Sequence, residues 1–394
     1  MARTNICENA GSLSSLRLLL NAEAFGFGPT AAIADCFPFL REHFGQIGYV
    51  GAGHTLDLQR PLAYDAIHDL SGLEAADADR ELAEIFSRYD LFFTALDFAM
   101  AQKALAAGLK VFVYDPLTWY WQEIPPVVKD VDLYIAQNFF GVKERLAREA
   151  EKFRSPQVVP PIIGEAVPRQ GDNDIVLVNL GGLNNPYWSA EGTLTYARLI
   201  LEAFLPDGRH KDVIVAANTA IARALPGYGV QNLSRSEMQN VLARAKYALM
   251  TPGLGNVYDA ARFDIPTIWL PPANDSQGEQ LALLSAHDMV DGAVDWHELL
   301  DMTPVDYSSE QVEVLRKVAC AVESAAASAQ AKEKFASLLS ERSAALAGVK
   351  NARVAKLVQE FGAGGAPEVA RLIVEQAKLE AARLKTVRKE VCRE

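Results

Sequence analysis

The strongest constraint on this chain is a rhythm. Short runs of β-branched and aromatic residues alternate with helical stretches, and the series runs twice with one break between. In the first series strands are expected at Leu16–Leu20, Gln46–Val50, Leu91–Ala95, Val111–Tyr114 and Leu133–Ala136. Helical patterns at Ala31–Phe44, Glu74–Ser87, Phe98–Ala107 and Lys143–Lys152 lie among them. Continuous apolar strands separated by helices read as parallel βαβ units in a doubly wound sheet. Val158 to Asp174 interrupts the rhythm with prolines at 160, 161 and 168 and glycines at 164 and 171, as an interdomain linker would. A second series follows, with strands at Ile175–Asn179, Val213–Ala216, Ala248–Met250 and Thr267–Leu270. Its helices are expected at Leu194–Phe204, Arg235–Arg244, Val257–Arg262 and Glu279–Ala286.

At 394 residues the chain exceeds what one core usually serves. The expected division is 1–160, 161–305 and a helical extension over 306–394. In that extension a stripe of Val369, Leu372, Ile373 and Ala377 marks a packing helix, or a surface for association between copies. The net charge of −12 disfavours nonspecific binding to nucleic acid or membranes. No apolar run is long enough to span a bilayer, and no leader-like pattern opens the sequence, so a cytoplasmic location is expected. Cys7, Cys36, Cys320 and Cys392 have neither disulfide nor metal-ligand spacing, and neither a metal nor a cofactor is expected.

The segment from Thr251 to Gln280 carries the functional reading. It leaves the carboxyl end of a strand, where open α/β sheets bind ligands. Gly253 and Gly255 allow close backbone approach, and Asn256 is suited to cap the next helix. That helix start suits diphosphate oxygens, and Asp259, about one turn on, suits the paired hydroxyls of a ribose. After the strand ending at Leu270, Asn274, Asp275, Gln277 and Gln280 form a polar cluster able to read sugar hydroxyls.

This order resembles the donor-binding region of GT-B glycosyltransferases, particularly the peptidoglycan N-acetylglucosaminyltransferase type and the UDP-sugar transferases of natural-product pathways. Asp259 and Pro266 keep the family's seven-residue spacing between ribose acid and proline, while Asp275-Ser276-Gln277 departs from its Asp-Gln pair. The run Val178–Asn185, with Gly181 and Gly182, is similar to the family's glycine loop at the diphosphate. The resemblance implies two Rossmann-like doubly wound domains facing across a cleft. It also implies a nucleotide-sugar donor, UDP-linked, a small-molecule acceptor, inversion at the anomeric carbon and no obligate metal.

On the acceptor side, the loop Glu23–Thr30 contains Gly26 and Gly28, with Thr30 as the expected helix cap. Relatives carry a catalytic His in this loop and this chain does not, which leaves His54 and Glu23 as candidate bases. Asp97 and Asp115 also follow strands, Asp115 with the look of a turn cap. Trp119 and Trp121, either side of Tyr120, are candidates for stacking a ring acceptor or for packing the loop. The size and the Phe25–Pro29 loop also resemble enzymes that join glucuronate to cytosine, for which Arg60 would be the carboxylate partner. Two competing classes remain. One is a nucleotide-sugar epimerase on the same fold. The other is a non-catalytic assembly protein associating through its helical tail.

Overall fold

The computed structural model describes residues 13–164, 167, 174–183, 189–346 and 348–391, with no side-chain description beyond Thr386. The chain forms two compact units, residues 1–162 with 364–394 and residues 163–363. In the first unit the strands are β1 (Arg17–Ala22), β2 (Gln46–Gly51), β3 (Ala66–Asp69), β4 (Leu91–Ala95), β5 (Lys110–Asp115), β6 (Leu133–Gln137) and β7 (Pro156–Val159). They form one sheet in the order β3-β2-β1-β4-β5-β6-β7, parallel at every pairing. In the second unit β8 (Ile175–Asn179), β9 (Val213–Ala216), β10 (Ala245–Met250), β11 (Thr267–Trp269) and β12 (Gly292–Ala293) make a parallel sheet ordered β12-β11-β10-β8-β9.

Both orders reverse direction once, between β1 and β4 and between β8 and β10. Loops diverge there and leave a crevice at the carboxyl ends of the strands. The expected strands are all present, and three more join them. β3, β7 and β12 are short, and each lies at the edge of its sheet. β7 opens on Pro156, which an edge tolerates because one side of that strand needs no donors.

The tail does not stand apart as one extension from 306. Helices Gln311–Ala327 and Ala329–Leu346 bury Val314, Val318, Phe335 and Leu339 in the core of the second unit, with Tyr196 and Ile200. After Lys356–Phe361 the chain returns to the first unit, where Gly365–Val391 forms a 27-residue helix. Its stripe of Val369, Leu372, Ile373 and Ala377 packs with Ile33, Phe37 and Leu40 of helix Gly28–Arg41. The apolar face considered for association between copies is thus covered within the chain. Entry into this helix is tight. Gly365 N–H donates to Pro161 O at 2.9 Å, and a Cβ on Gly365 would lie 2.1 Å from Pro160 O. Among the described residues no helix is long and apolar enough to cross a membrane.

If the last helix is part of the first unit's core, Ile373→Ala costs about 2–5 kcal/mol in urea unfolding. Gly365→Ala costs about 1–3 kcal/mol through the clash at Pro160. Leu379→Ala, on the exposed face, changes stability by less than about 0.5 kcal/mol.

Candidate active site

In the second unit Met250 pairs opposite Asn179, so the loops after β10 and β8 leave side by side at the reversal point. The first turns at Gly181 and Gly182, where Gly182 has φ of +74°, a conformation glycine adopts without a Cβ penalty. Asn184 and Asn185 of the expected glycine loop lie outside the described residues. Asn179 Oδ1 accepts from Gly181 N–H at 3.0 Å, and Asn179 Nδ2 donates to Asn256 Oδ1 at 3.0 Å. Asn256 Nδ2 donates to Thr251 O and Thr251 Oγ1, both at 2.9 Å, and the Thr251 hydroxyl donates to Gly181 O.

The cap of the helix Leu254–Arg262 is Gly253, with no side-chain bond, and Asn256 is the third helical residue. Asn256 does not serve as the expected cap because its amide is directed back at Thr251 and Asn179. By their place in the first turn, the N–H groups of Leu254 and Gly255 have no intrahelical acceptor. Asp259 is half-buried on this helix.

The polar cluster after β11 is more enclosed than a row of sugar readers would be. Asn274, Asp275, Gln277 and Gln280 are each 2–3% exposed. Asn274 caps the helix Asp275–Ala286 by accepting from Gln277 N–H at 2.9 Å. Gln277 accepts from Ala273 N–H at 2.9 Å and donates to Gly182 O at 3.4 Å, while Gln280 donates to Pro252 O at 2.9 Å. These amides brace the three loops against one another. Nearby Glu279 escaped the sequence reading. Burial, followed by the charges of Asp275 and Asp306, pushes its carboxyl up to about 7.

In the first unit the reversal point brings two carboxylates together. Ala22 pairs with Ala95, and Glu23 N–H donates to Ala95 O at 2.9 Å. One residue on, Leu96 takes a left-handed φ of +66°, uncommon for a residue with a Cβ. That turn sets Asp97 to cap the helix Phe98–Ala106 by accepting from Met100 N–H at 2.9 Å. Behind the pair, Thr94 donates to Asn21 Oδ1 at 2.7 Å and Asn21 donates to Val50 O at 3.1 Å, all buried. Burial first, and the charge of Asp97 second, pushes Glu23 from its ordinary 4.5 to about 7. Asp97 is itself raised by burial, against hydrogen bonds from Met100 N–H and the Asn21 side chain. The Asn21–Thr94 support gave no sequence signal, since both read as ordinary strand residues.

His54 Nε2 lies 2.7 Å from Gly26 O, and its ring packs edge-on against Phe27 at 5.3 Å. A carbonyl only accepts, so Nε2 carries the hydrogen and Nδ1 is the nitrogen left to act as a base. The helix here begins at Gly28 with Phe27 as its cap residue. Thr30 is therefore inside the first turn, where its hydroxyl donates to Thr55 O at 2.8 Å, and does not cap it as expected. Gly26 has φ of +62°, while Gly28 is exposed at the first helical position.

The aromatic loop after β5 is fastened at both ends. Asp115, fully buried, accepts from Leu117 N–H at 2.6 Å, Tyr134 OH at 2.5 Å and Trp121 Nε1 at 2.8 Å. Burial outweighs these donors and raises its carboxyl to about 6. Arg145 donates to Thr118 O at 3.0 Å and Gln122 O at 3.3 Å. Trp119 packs against Phe139 at 5.2 Å, whereas Trp121 meets Phe98, the neighbour of Asp97, edge-on at 5.7 Å. Arg60 is exposed and paired with Asp69 at 3.0 Å.

No protein-family model matches the chain, and no curated protein sequence matches it. Solved structures do. The MurG protein of Acinetobacter baumannii is similar over 91% of this chain and 99% of its own, at 12% identity and a TM-score of 0.52. A UDP-glucosyltransferase from Polygonum tinctorium is similar over 90% of this chain and 99% of its own, at 13% identity and a TM-score of 0.47. With the two doubly wound parallel units, the likeness to MurG shows the fold to be GT-B.

The Glu23 shift has a measurable consequence. The folded chain holds this proton up to about 7 and the unfolded chain only to about 4.5. Glu23 therefore lowers stability progressively as pH rises through that window, and its effect is level on either side. Relative to Glu23→Gln, the wild type should lose unfolding free energy across the window in urea melts run from pH 4 to 8. Parallel curves would show that Glu23 is not shifted.

Proposed function

We propose that the protein is a glycosyltransferase that moves a sugar from a UDP-linked donor to a small-molecule acceptor. The observation that carries this reading is the pairing of features at the two reversal points of a GT-B fold. One is a glycine loop beside a helix start, and the other is a carboxyl group poised near neutral pH. The first-turn N–H groups at Leu254 and Gly255 meet the charge of the diphosphate, and Asp259 takes the ribose hydroxyls. Gly181, Gly182 and Gly253 give the room for close approach.

Glu23, once ionised, takes the proton of the acceptor hydroxyl. That oxygen bonds to the anomeric carbon from the face opposite the diphosphate, the bond from carbon to phosphate oxygen breaks, and UDP departs. Inversion follows from the single in-line displacement. A base of pKa about 7 matches a reaction run near neutrality. The charge of Asp97 adds to burial in raising Glu23, so that it holds its proton up to that pH, and Trp121 and Trp119 line the same strand ends for the acceptor. A glucuronate donor has less support, because Arg60 spends its charge on Asp69.

A nucleotide-sugar epimerase is the second reading. Glu23, Asp97 and His54 lie at one end of one sheet and would supply both an acid and a base. Donor incubated alone distinguishes the two, since an epimerase converts it and a transferase waits for acceptor.

Three outcomes are expected. In a thermal-shift panel, UDP-linked sugars raise the melting temperature by mass action, and Asp259→Ala removes most of that rise. A panel of UDP-, GDP- and TDP-sugars with no shift would overturn the reading. Glu23→Gln lowers kcat by about 10²–10⁴-fold with donor affinity retained. In the wild type, kcat/KM climbs with pH and levels off above about 7, where Glu23 has lost its proton. If His54→Gln instead removes that limb, the base is His54.

A further inference from the structure

The bonds around Gly181 close on themselves. Gly181 N–H donates to Asn179 Oδ1, Asn179 Nδ2 to Asn256 Oδ1, Asn256 Nδ2 to Thr251 Oγ1, and Thr251 Oγ1 to Gly181 O. Four donors and four acceptors point the same way round, and through Asn179, Asn256 and Thr251, each of which accepts and donates, one bond polarises the next. Both the N–H and the C=O of Gly181 are consumed. A side chain at this centre would be tight, since a Cβ on Gly181 would lie 3.1 Å from Asn179 Oδ1 and 3.4 Å from Asn256 Oδ1. The next peptide is planar and trans, so with Gly181 C=O aimed at Thr251 the N–H of Gly182 is aimed the opposite way. That N–H donates to no described residue. Gly182 is held from its other side, where its carbonyl accepts from Gln277.

We propose that Asn256 is a positioning residue of the donor site. It closes a ring of hydrogen bonds that locks Gly181 and presets the Gly182 N–H for a nucleoside diphosphate, which the Asn256 amide itself does not touch. This rests on the reading of the second unit as a nucleotide-sugar site, and deepens it by dividing the loop into a part that binds and a part that aims. The reason for the division is saturation. Asn256 Oδ1 and Nδ2 already serve Asn179 and Thr251, and taking up an anion would break the ring that orients its neighbour. A backbone N–H fixed before the ligand arrives avoids that reorganisation.

The test is calorimetric titration of UDP into the full chain and four variants: Asn256→Ala, Asn179→Ala, Thr251→Val and the Asn179→Ala/Asn256→Ala double variant. A ring acts as one unit, so each single change weakens UDP by roughly tenfold, and the double variant stays within about twofold of Asn256→Ala. Uridine, followed by ligand NMR, keeps its affinity in every variant, because the ring aims only the phosphate loop. A merely structural role would weaken uridine and UDP alike, and would overturn the proposal. Losses that multiply in the double variant would mean that Asn256 contacts the diphosphate directly, which also overturns it. So would Asn256→Ala and Thr251→Val that both leave UDP binding unchanged. Failure of the wild type to bind UDP would remove the donor-site reading and this proposal together. Binding by the wild type with multiplying losses would remove the ring alone.

Discussion

The pairing of β8 with β10 is the constraint on which the second unit depends. Because strand order reverses there, the loop after Asn179 and the loop after Met250 leave the sheet side by side. Parallel pairing alone would not keep them open, since loops carry polar backbone that seeks partners. Here the partners are specified. Asn179, Thr251 and Asn256 satisfy one loop, and Gln277 and Gln280 fasten both to the helix after β11. The brace between these loops is built mainly from amides, which hold their geometry across the pH range in which a carboxylate pair would change charge.

The first unit handles the equivalent position differently. Its reversal point collects Glu23 and Asp97 over a buried Asn21–Thr94 pair, and desolvation raises both acids. The loops of the second unit are thus braced by uncharged side chains, whereas the reversal point of the first carries a pair of acids. Leu96 shows what that arrangement costs. A residue with a side chain sits in the left-handed region so that Asp97 can cap a helix and stand beside Glu23.

Much of this was legible in the sequence, and the limits have physical causes. Strands buried on both faces, such as Leu91–Ala95 and Ile175–Asn179, announce themselves because four of their five positions are apolar. Edge strands β3, β7 and β12 are half-wetted, brief or begin with proline, so they read as loops. The glycine turn and the acid at Asp259 are readable as candidates from local spacing. What Asn256 and Gln277 do was not, because their partners lie 77 and 95 residues away in sequence. An amide facing a ligand and one facing a distant carbonyl look the same in one dimension. Asn21 and Thr94 illustrate the same limit, since only the register of β1 with β4 makes them a pair.

The return of the last helix bears on the order in which the protein assembles. About 200 residues separate Ile162 from Gly364, and all of the second unit lies between them. During synthesis at about 5–20 residues per second, the first unit waits roughly 10–40 s for Val369, Ile373 and Ala377. Until then Ile33, Phe37 and Leu40 lack their covering, while the second unit has every strand it needs. The first unit to be made is therefore the last to be completed, and its uncovered helix face is the surface a chaperone would meet on the nascent chain.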